Sequence, residues 1–167
     1  MKYAECPTVS ATTEVAASSD VLWSIVSDIA LPTRFSTEVG SVEWIGDDVV
    51  ARLGARFVGY SAHDAIGQWS TTCEITAFDA PRIFEWSVLG LDDVPASVWR
   101  FGIEDRGDGT VKLEQWMQMG PARGGLNAAI DRMPEKEDRI IERRLAEHLR
   151  NMERNLAGIK ALAEELS

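Results

Sequence analysis

Cysteine and histidine are scarce in this 167-residue chain, with two of each: Cys6, Cys73, His63 and His148. Two thiols make a poor disulfide framework for a chain of this size, and two free thiols in a reducing compartment are the simpler expectation. Two distant histidines and two distant cysteines do not supply the three or four clustered ligands that zinc needs, so neither a metal nor a cofactor is expected. A surplus of positive charge is also missing. Lys and Arg number 17 against 27 Asp and Glu, a net charge of -10, which opposes the phosphate backbone of nucleic acids and anionic lipid. No apolar run approaches the ~20 residues of a membrane span, and the N-terminus carries no basic stretch followed by an apolar one. A cytoplasmic protein without nucleic-acid partner or membrane insertion is therefore expected. The chain also lacks a phosphate-binding glycine loop, a dinucleotide fingerprint behind a strand and a Gly-x-Ser-x-Gly nucleophile turn. The acid pairs Asp47-Asp48, Asp92-Asp93 and Glu164-Glu165 fall in turns or near the C-terminus, where solvated surface is the simpler reading.

What is present is a strand-rich pattern closed by one long helix, consistent with a single domain over residues 1–167. Thr8 to Ala17 alternates loosely and reads as a strand. Ser18-Ser19-Asp20 supplies helix-capping chemistry ahead of Val21 to Val26, and Pro32 opens a second short helical stretch over Thr33 to Thr37. Six strand-like segments follow: Val42–Ile45, Arg56–Asp64, Trp69–Phe78, Arg82–Leu89, Ser97–Asp105 and Thr110–Met119. Short turns separate most of them, and the Gly107-Asp108-Gly109 turn is the strongest hairpin signal. Strands joined without intervening helices predict an antiparallel sheet and an α+β class. Pro121 to Arg132 reads as a glycine-bearing connector or lid. Beyond Pro134 there is no further proline and one glycine, Gly158. Ile141, Leu145, His148, Leu149, Met152, Leu156, Ile159 and Ala163 lie on one helical stripe. That helix, ~50 Å long, needs a long partner surface, and the sheet is the only one available.

Side chains alternate faces along a strand, so charged positions mark the outer face. Glu43 leaves Trp44 inside, and Arg56 and Asp64 leave Phe57, Ser61 and His63 inside. Glu74 leaves Trp69, Thr71 and Cys73 inside, and Glu85 leaves Phe84 and Trp86. Arg100 and Glu104 leave Trp99 and Phe101; Lys112 and Glu114 leave Gln115 and Met117. The inner face is thus aromatic and nearly free of charge, and no inward arginine is expected on the strands. His63 and Asp64 point to opposite faces and form no dyad. His148 and Met152 join this face from the helix.

The order strand, short helices, six strands, long helix resembles the helix-grip superfamily of START-related polyketide cyclase/dehydrase and lipid-transport proteins. The resemblance runs from about Ser10 to Leu166. It is carried by Ala16-Ala17-Ser18-Ser19-Asp20-Val21-Leu22-Trp23, by Val42-Glu43-Trp44-Ile45-Gly46 and by Gly54-Ala55-Arg56-Phe57-Val58-Gly59. Phe84-Glu85-Trp86 and Ser97-Val98-Trp99-Arg100-Phe101 extend it. None of these is a catalytic signature. The resemblance implies a roughly seven-stranded antiparallel sheet curved around the helix, with a cavity for a small apolar molecule such as a lipid, polyketide or aromatic metabolite. The inward residues above would then contact the ligand. The first expectation is a binding protein. The second is a cyclase, aromatase or dehydratase using His63 or His148 as acid or base, with Gln115 orienting substrate. The third is an interaction protein whose core is filled by its own side chains. Leu89, Leu91 and Val94 suit a cavity rim or a homodimer contact.

Overall fold

The alternation read along the chain becomes seven strands in the computed structural model, which describes residues 1–167. They are β1 (Thr8–Val15), β2 (Val39–Trp44), β3 (Arg56–His63), β4 (Gly67–Asp79), β5 (Ile83–Leu89), β6 (Pro95–Asp105) and β7 (Val111–Met119). Their order in the one sheet is β1-β7-β6-β5-β4-β3-β2, and every neighbouring pair is antiparallel. Burial alternates strictly along β7, where Leu113, Gln115 and Met117 are buried and Lys112, Glu114 and Trp116 are half-buried. Outer ion pairs such as Arg56–Glu74 and Arg100–Glu85 cross between strands on the charged face.

Two short helices carry the chain from the β1 edge to the β2 edge. In α1 (Ser19–Val26), Ser18 Oγ accepts the Val21 N–H at 3.2 Å, and Leu22, Ile25 and Val26 are buried. In α2 (Pro32–Phe35) the proline opens the helix, as its fixed φ favours. The connector after β7 contains a further helix, α3 (Asn127–Arg132), where the sequence suggested only a loop. It is six residues long, too short for a periodic stripe; Asn127 Oδ1 accepts the Gly124 N–H at 2.7 Å and Ile130 is buried.

The long helix, α4 (Glu137–Leu166), has 30 residues and is about 45 Å long. Pro134–Lys136 forms a separate 3-10 turn ahead of it, so the helix starts three residues later than its proline suggested. Its first turn is held by the N-terminal segment: Tyr3 N–H donates to Glu137 at 2.9 Å, and the terminal ammonium pairs with Asp138 at 2.9 Å. Its last turns are held by β1, with Lys160 Nζ donating to the Glu14 carbonyl at 2.6 Å and Ala16 N–H to Glu164 at 3.1 Å.

Gly158 is where α2 docks on α4. A Cβ at this position would overlap the ring of Phe35. Gly158→Ala gains helix propensity of about 1 kcal/mol, but the displaced aromatic ring is expected to outweigh it, with a net loss of about 1–2 kcal/mol in urea unfolding. The double variant with Phe35→Leu should recover most of that loss; additive losses would show that the two residues do not share the contact.

Candidate functional site

Buried side chains form two clusters, one around α1 and the C-terminal half of α4, the other around Tyr3, Met117, Met119 and Met152. Both contribute to the wall of a cavity between sheet and α4, of about 480 Å³, with 38 lining residues of which 20 are hydrophobic. That volume lies in the range of small-molecule sites. It overturns the expectation of a core filled by its own side chains.

Cross-strand register builds the main wall. Phe84 of β5 lies opposite Phe101 of β6, and Trp86 opposite Trp99. Trp86 and Trp99 stack with centroids 6.3 Å apart and planes 10° apart. The His148 ring from α4 meets Trp99 edge-on at 5.1 Å. Trp69, Thr71 and Cys73 of β4 and Phe57 and Ser61 of β3 continue the lining, and Gln115 and Met117 of β7 and Met152 of α4 complete it. Thirteen of the fifteen residues placed on the inner face from sequence therefore meet around one space.

Trp44 and His63 do not line the cavity. Trp44 packs edge-on against Phe57 at 6.0 Å near the β2 edge. Alternation assigns a face but not a distance along the sheet, and this position lies beyond the cavity. His63 faces α4 as parity required, yet its Nε2 lies 3.2 Å from Glu147 and its Nδ1 accepts the Ala65 N–H at 3.0 Å. Both nitrogens are engaged, so His63 has no free nitrogen to offer a substrate. Of the rim residues, Leu89 lines the cavity, while Leu91 and Val94 are exposed.

Several polar lining residues carry no mark in the sequence pattern, among them Arg144, Asn151 and Asn155 of α4, and Glu38 between α2 and β2. The nearest thing to a signal on α4 was the spacing 144, 148, 151, 155, a second stripe beside the apolar one. Arg144 pairs with Glu38 through two hydrogen bonds, 2.9 and 2.7 Å, and reaches Glu147 at 2.8 Å. Asn151 Nδ2 donates to Glu38 at 3.2 Å. Desolvation first, then the nearby Arg144 charge, lowers the His148 pKa to about 4, so its imidazole is neutral at pH 7. Burial pushes the Cys73 thiol up to about 11, leaving it a small hydrophobe. Both cysteines are free.

Glu38, His63 and Glu147 place potential metal-ligand atoms within 4.8 Å of one another. Arg144 already donates to both carboxylates, and a cation would compete with it for them. The cluster works as an ion-pair network fastening the α2–β2 link to α4. Ile66 in the β3–β4 turn, exposed, and Gly125 and Arg123 of the connector also line the cavity; Ile66 lies near Gly125, and Arg123 pairs with Asp131.

Residues 7–164 match the family described as polyketide cyclase / dehydrase and lipid transport. No functionally curated protein matches the chain in sequence. Among solved structures, a polyketide-cyclase-like protein from Corynebacterium glutamicum is 25% identical, with a TM-score of 0.63 over 96% of this chain and 93% of that one. The Zhui aromatase/cyclase from Streptomyces sp. R1128 is 15% identical, with a TM-score of 0.66 over 95% and 94%. Major latex-like protein 151 from Panax ginseng is 10% identical, with a TM-score of 0.63 over 94% and 97%. At such identities the last two are similar in fold alone. No helix is long and apolar enough to cross a membrane.

Proposed function

The chain belongs to the polyketide cyclase/dehydrase and lipid-transport family, and from that premise we propose that it binds one small, ring-bearing apolar molecule in the cavity between sheet and α4. The observation that carries this reading is the wall of Phe84, Trp86, Trp99 and Phe101 around a space of about 480 Å³. Aromatic faces attract flat rings by offset stacking and edge contacts beyond simple area burial. Met117 and Met119 of β7, beside the aromatic wall, and Met152 of α4 supply adaptable contacts.

A turnover reading shares the same cavity and rests on His148, whose ring borders the space and meets Trp99 edge-on. An imidazole with a pKa of about 4 is a weak base at pH 7 and cannot act there as a general acid. Arg144 is engaged by Glu38 and Glu147 and is not free to hold an enolate. Binding is therefore the better-supported activity. His148→Ala should keep binding; loss of a reaction with binding retained would favour turnover.

Native mass spectrometry of the purified protein, followed by denaturing extraction, tests the main reading. A single apolar adduct per chain is expected, or 1:1 uptake of an aromatic polyketide added to the empty protein. A chain that arrives empty and takes up neither lipids nor aromatic polyketides contradicts it.

A further inference from the structure

Residues Lys2 to Cys6 lie ahead of β1 and take no part in the sheet, yet they are fastened on both sides. Tyr3 N–H and Lys2 Nζ engage Glu137 of α4 at 2.9 and 3.2 Å. The Pro7 carbonyl accepts the Met119 N–H at 2.9 Å. Between these anchors Tyr3–Glu5 forms a 3-10 turn. The Tyr3 side chain is 8% exposed and lines the cavity. Its hydroxyl lies 2.9 Å from the Ala122 carbonyl and 3.3 Å from the Ala96 carbonyl, so its one proton ties the connector after β7 to the start of β6. The connector is shaped to receive it. Gly120 has a φ of 76°, and a Cβ there would meet both the Tyr3 ring and Cys6 Sγ at 3.4 Å.

Past Ala122 the connector runs over the cavity, where Arg123, Gly124, Gly125 and Leu126 line it. Its two sides are held differently. On the β6 side, Gly120 N–H and Ala122 N–H donate to the Ala96 and Pro95 carbonyls at 2.7 and 2.8 Å, beside the Tyr3 bond. Towards the β3–β4 turn the approach is apolar: a Cβ on Gly125 would stand 3.9 Å from Ile66 Cγ2, and Ile66 is exposed. An exposed apolar contact buries little area and parts readily, whereas a hydrogen bond shielded from water does not. The mouth of the cavity therefore falls between Ile66 and the stretch Arg123–Leu126, and Tyr3 holds that stretch from behind.

We infer that Lys2–Cys6 is a strap that keeps the connector closed over the cavity, with the Tyr3 hydroxyl as its catch. Ligand enters and leaves when that bond opens and Arg123–Leu126 lift away from Ile66. The inference rests on the ligand-binding reading above and adds how its site is gated. The closed form dominates with or without ligand. Weakening the catch raises the small open fraction, speeds passage in both directions alike and leaves the affinity unchanged.

Tyr3→Phe removes the catch and keeps the ring. Amide hydrogen exchange in the ligand-free, full-length protein reads the connector directly. Ala122 and Gly124 are expected to exchange about tenfold faster in the variant, with the amides of β4 and β5 unaltered. Stopped-flow fluorescence with 1-aminoanthracene, a neutral aromatic probe, should show association and dissociation both about tenfold faster at the same Kd. Unchanged exchange at Ala122 and Gly124 overturns the inference. Loss of protection throughout the sheet overturns it too, because Tyr3 then only stabilises the fold. A rise in the dissociation rate alone does the same, because the hydroxyl is then a ligand contact. A connector that loosens in Tyr3→Phe while neither form takes up the probe contradicts the ligand-binding reading, and the inference falls with it.

Discussion

Arg144→Ala is expected to lower stability at pH 7 by about 3 kcal/mol, the loss associated with breaking a buried ion pair from one side. The side chains of Arg144 and Glu38 are each 11% exposed, and their pair is bidentate. Removing the guanidinium strands two carboxylates, Glu38 and Glu147, in a half-buried space. Asn151 remains for Glu38, and His63 and Arg143 remain for Glu147, with less than full compensation. The pH dependence gives the sign. Desolvation raises the Glu147 pKa, but the Arg144 hydrogen bond and the other nearby cations outweigh it, so the folded pKa lies below its ordinary value. A carboxyl group with a depressed pKa stabilises the fold above its unfolded pKa and loses that contribution as pH falls through the folded one. The deficit of Arg144→Ala should therefore be largest near neutrality and shrink in acid, measured by urea unfolding across pH. A pH-independent deficit would point to lost packing of the arginine stem instead.

The second large effect belongs to His148. Its pKa falls from 6.5 unfolded to about 4 folded, because burial and Arg144 disfavour the cation more than Glu38 and Glu147 favour it. Between those values the unfolded chain binds the proton and the fold refuses it. Stability attributable to this group is thus retained above pH 6.5 and lost as pH drops towards 4, a difference of about 3 kcal/mol. His148→Gln removes the titration. The variant should gain on the unaltered protein steadily from pH 6.5 to pH 4, with the difference between the two curves isolating this imidazole from the carboxylates. Parallel curves would contradict the burial of His148. The same physics couples the residue to function, since an apolar ligand against the ring deepens its desolvation, so acid should release the ligand.

Much of this architecture was legible because charge marks one face of each strand. Lys112 and Glu114 mark Gln115 and Met117 as inward, and Glu85 does the same for Phe84 and Trp86. What alternation does not carry is position along the sheet. Trp44 and Phe57 share a face, yet only Phe57 reaches the cavity. The polar residues of the site were hidden for a different reason. Reading charge as outward works on a strand, whose faces are separate. On α4, Arg144 lies within one turn of both solvent and cavity, and its Glu38 partner is 106 residues away, in a link with no periodic pattern.

The most direct measurement is a two-dimensional NMR titration with 2-naphthol, read at the indole N–H signals of the six tryptophans. Trp69, Trp86 and Trp99 line the cavity. Trp23 packs against Phe78 and Phe84, Trp44 against Phe57, and Trp116 lies under Arg100 on the outer face. The prediction is that the first three shift and saturate at one equivalent while Trp44 and Trp116 stay in place. Shifts confined to Trp116, or no saturable shift at any lining tryptophan, would contradict a ligand-binding cavity between the sheet and α4.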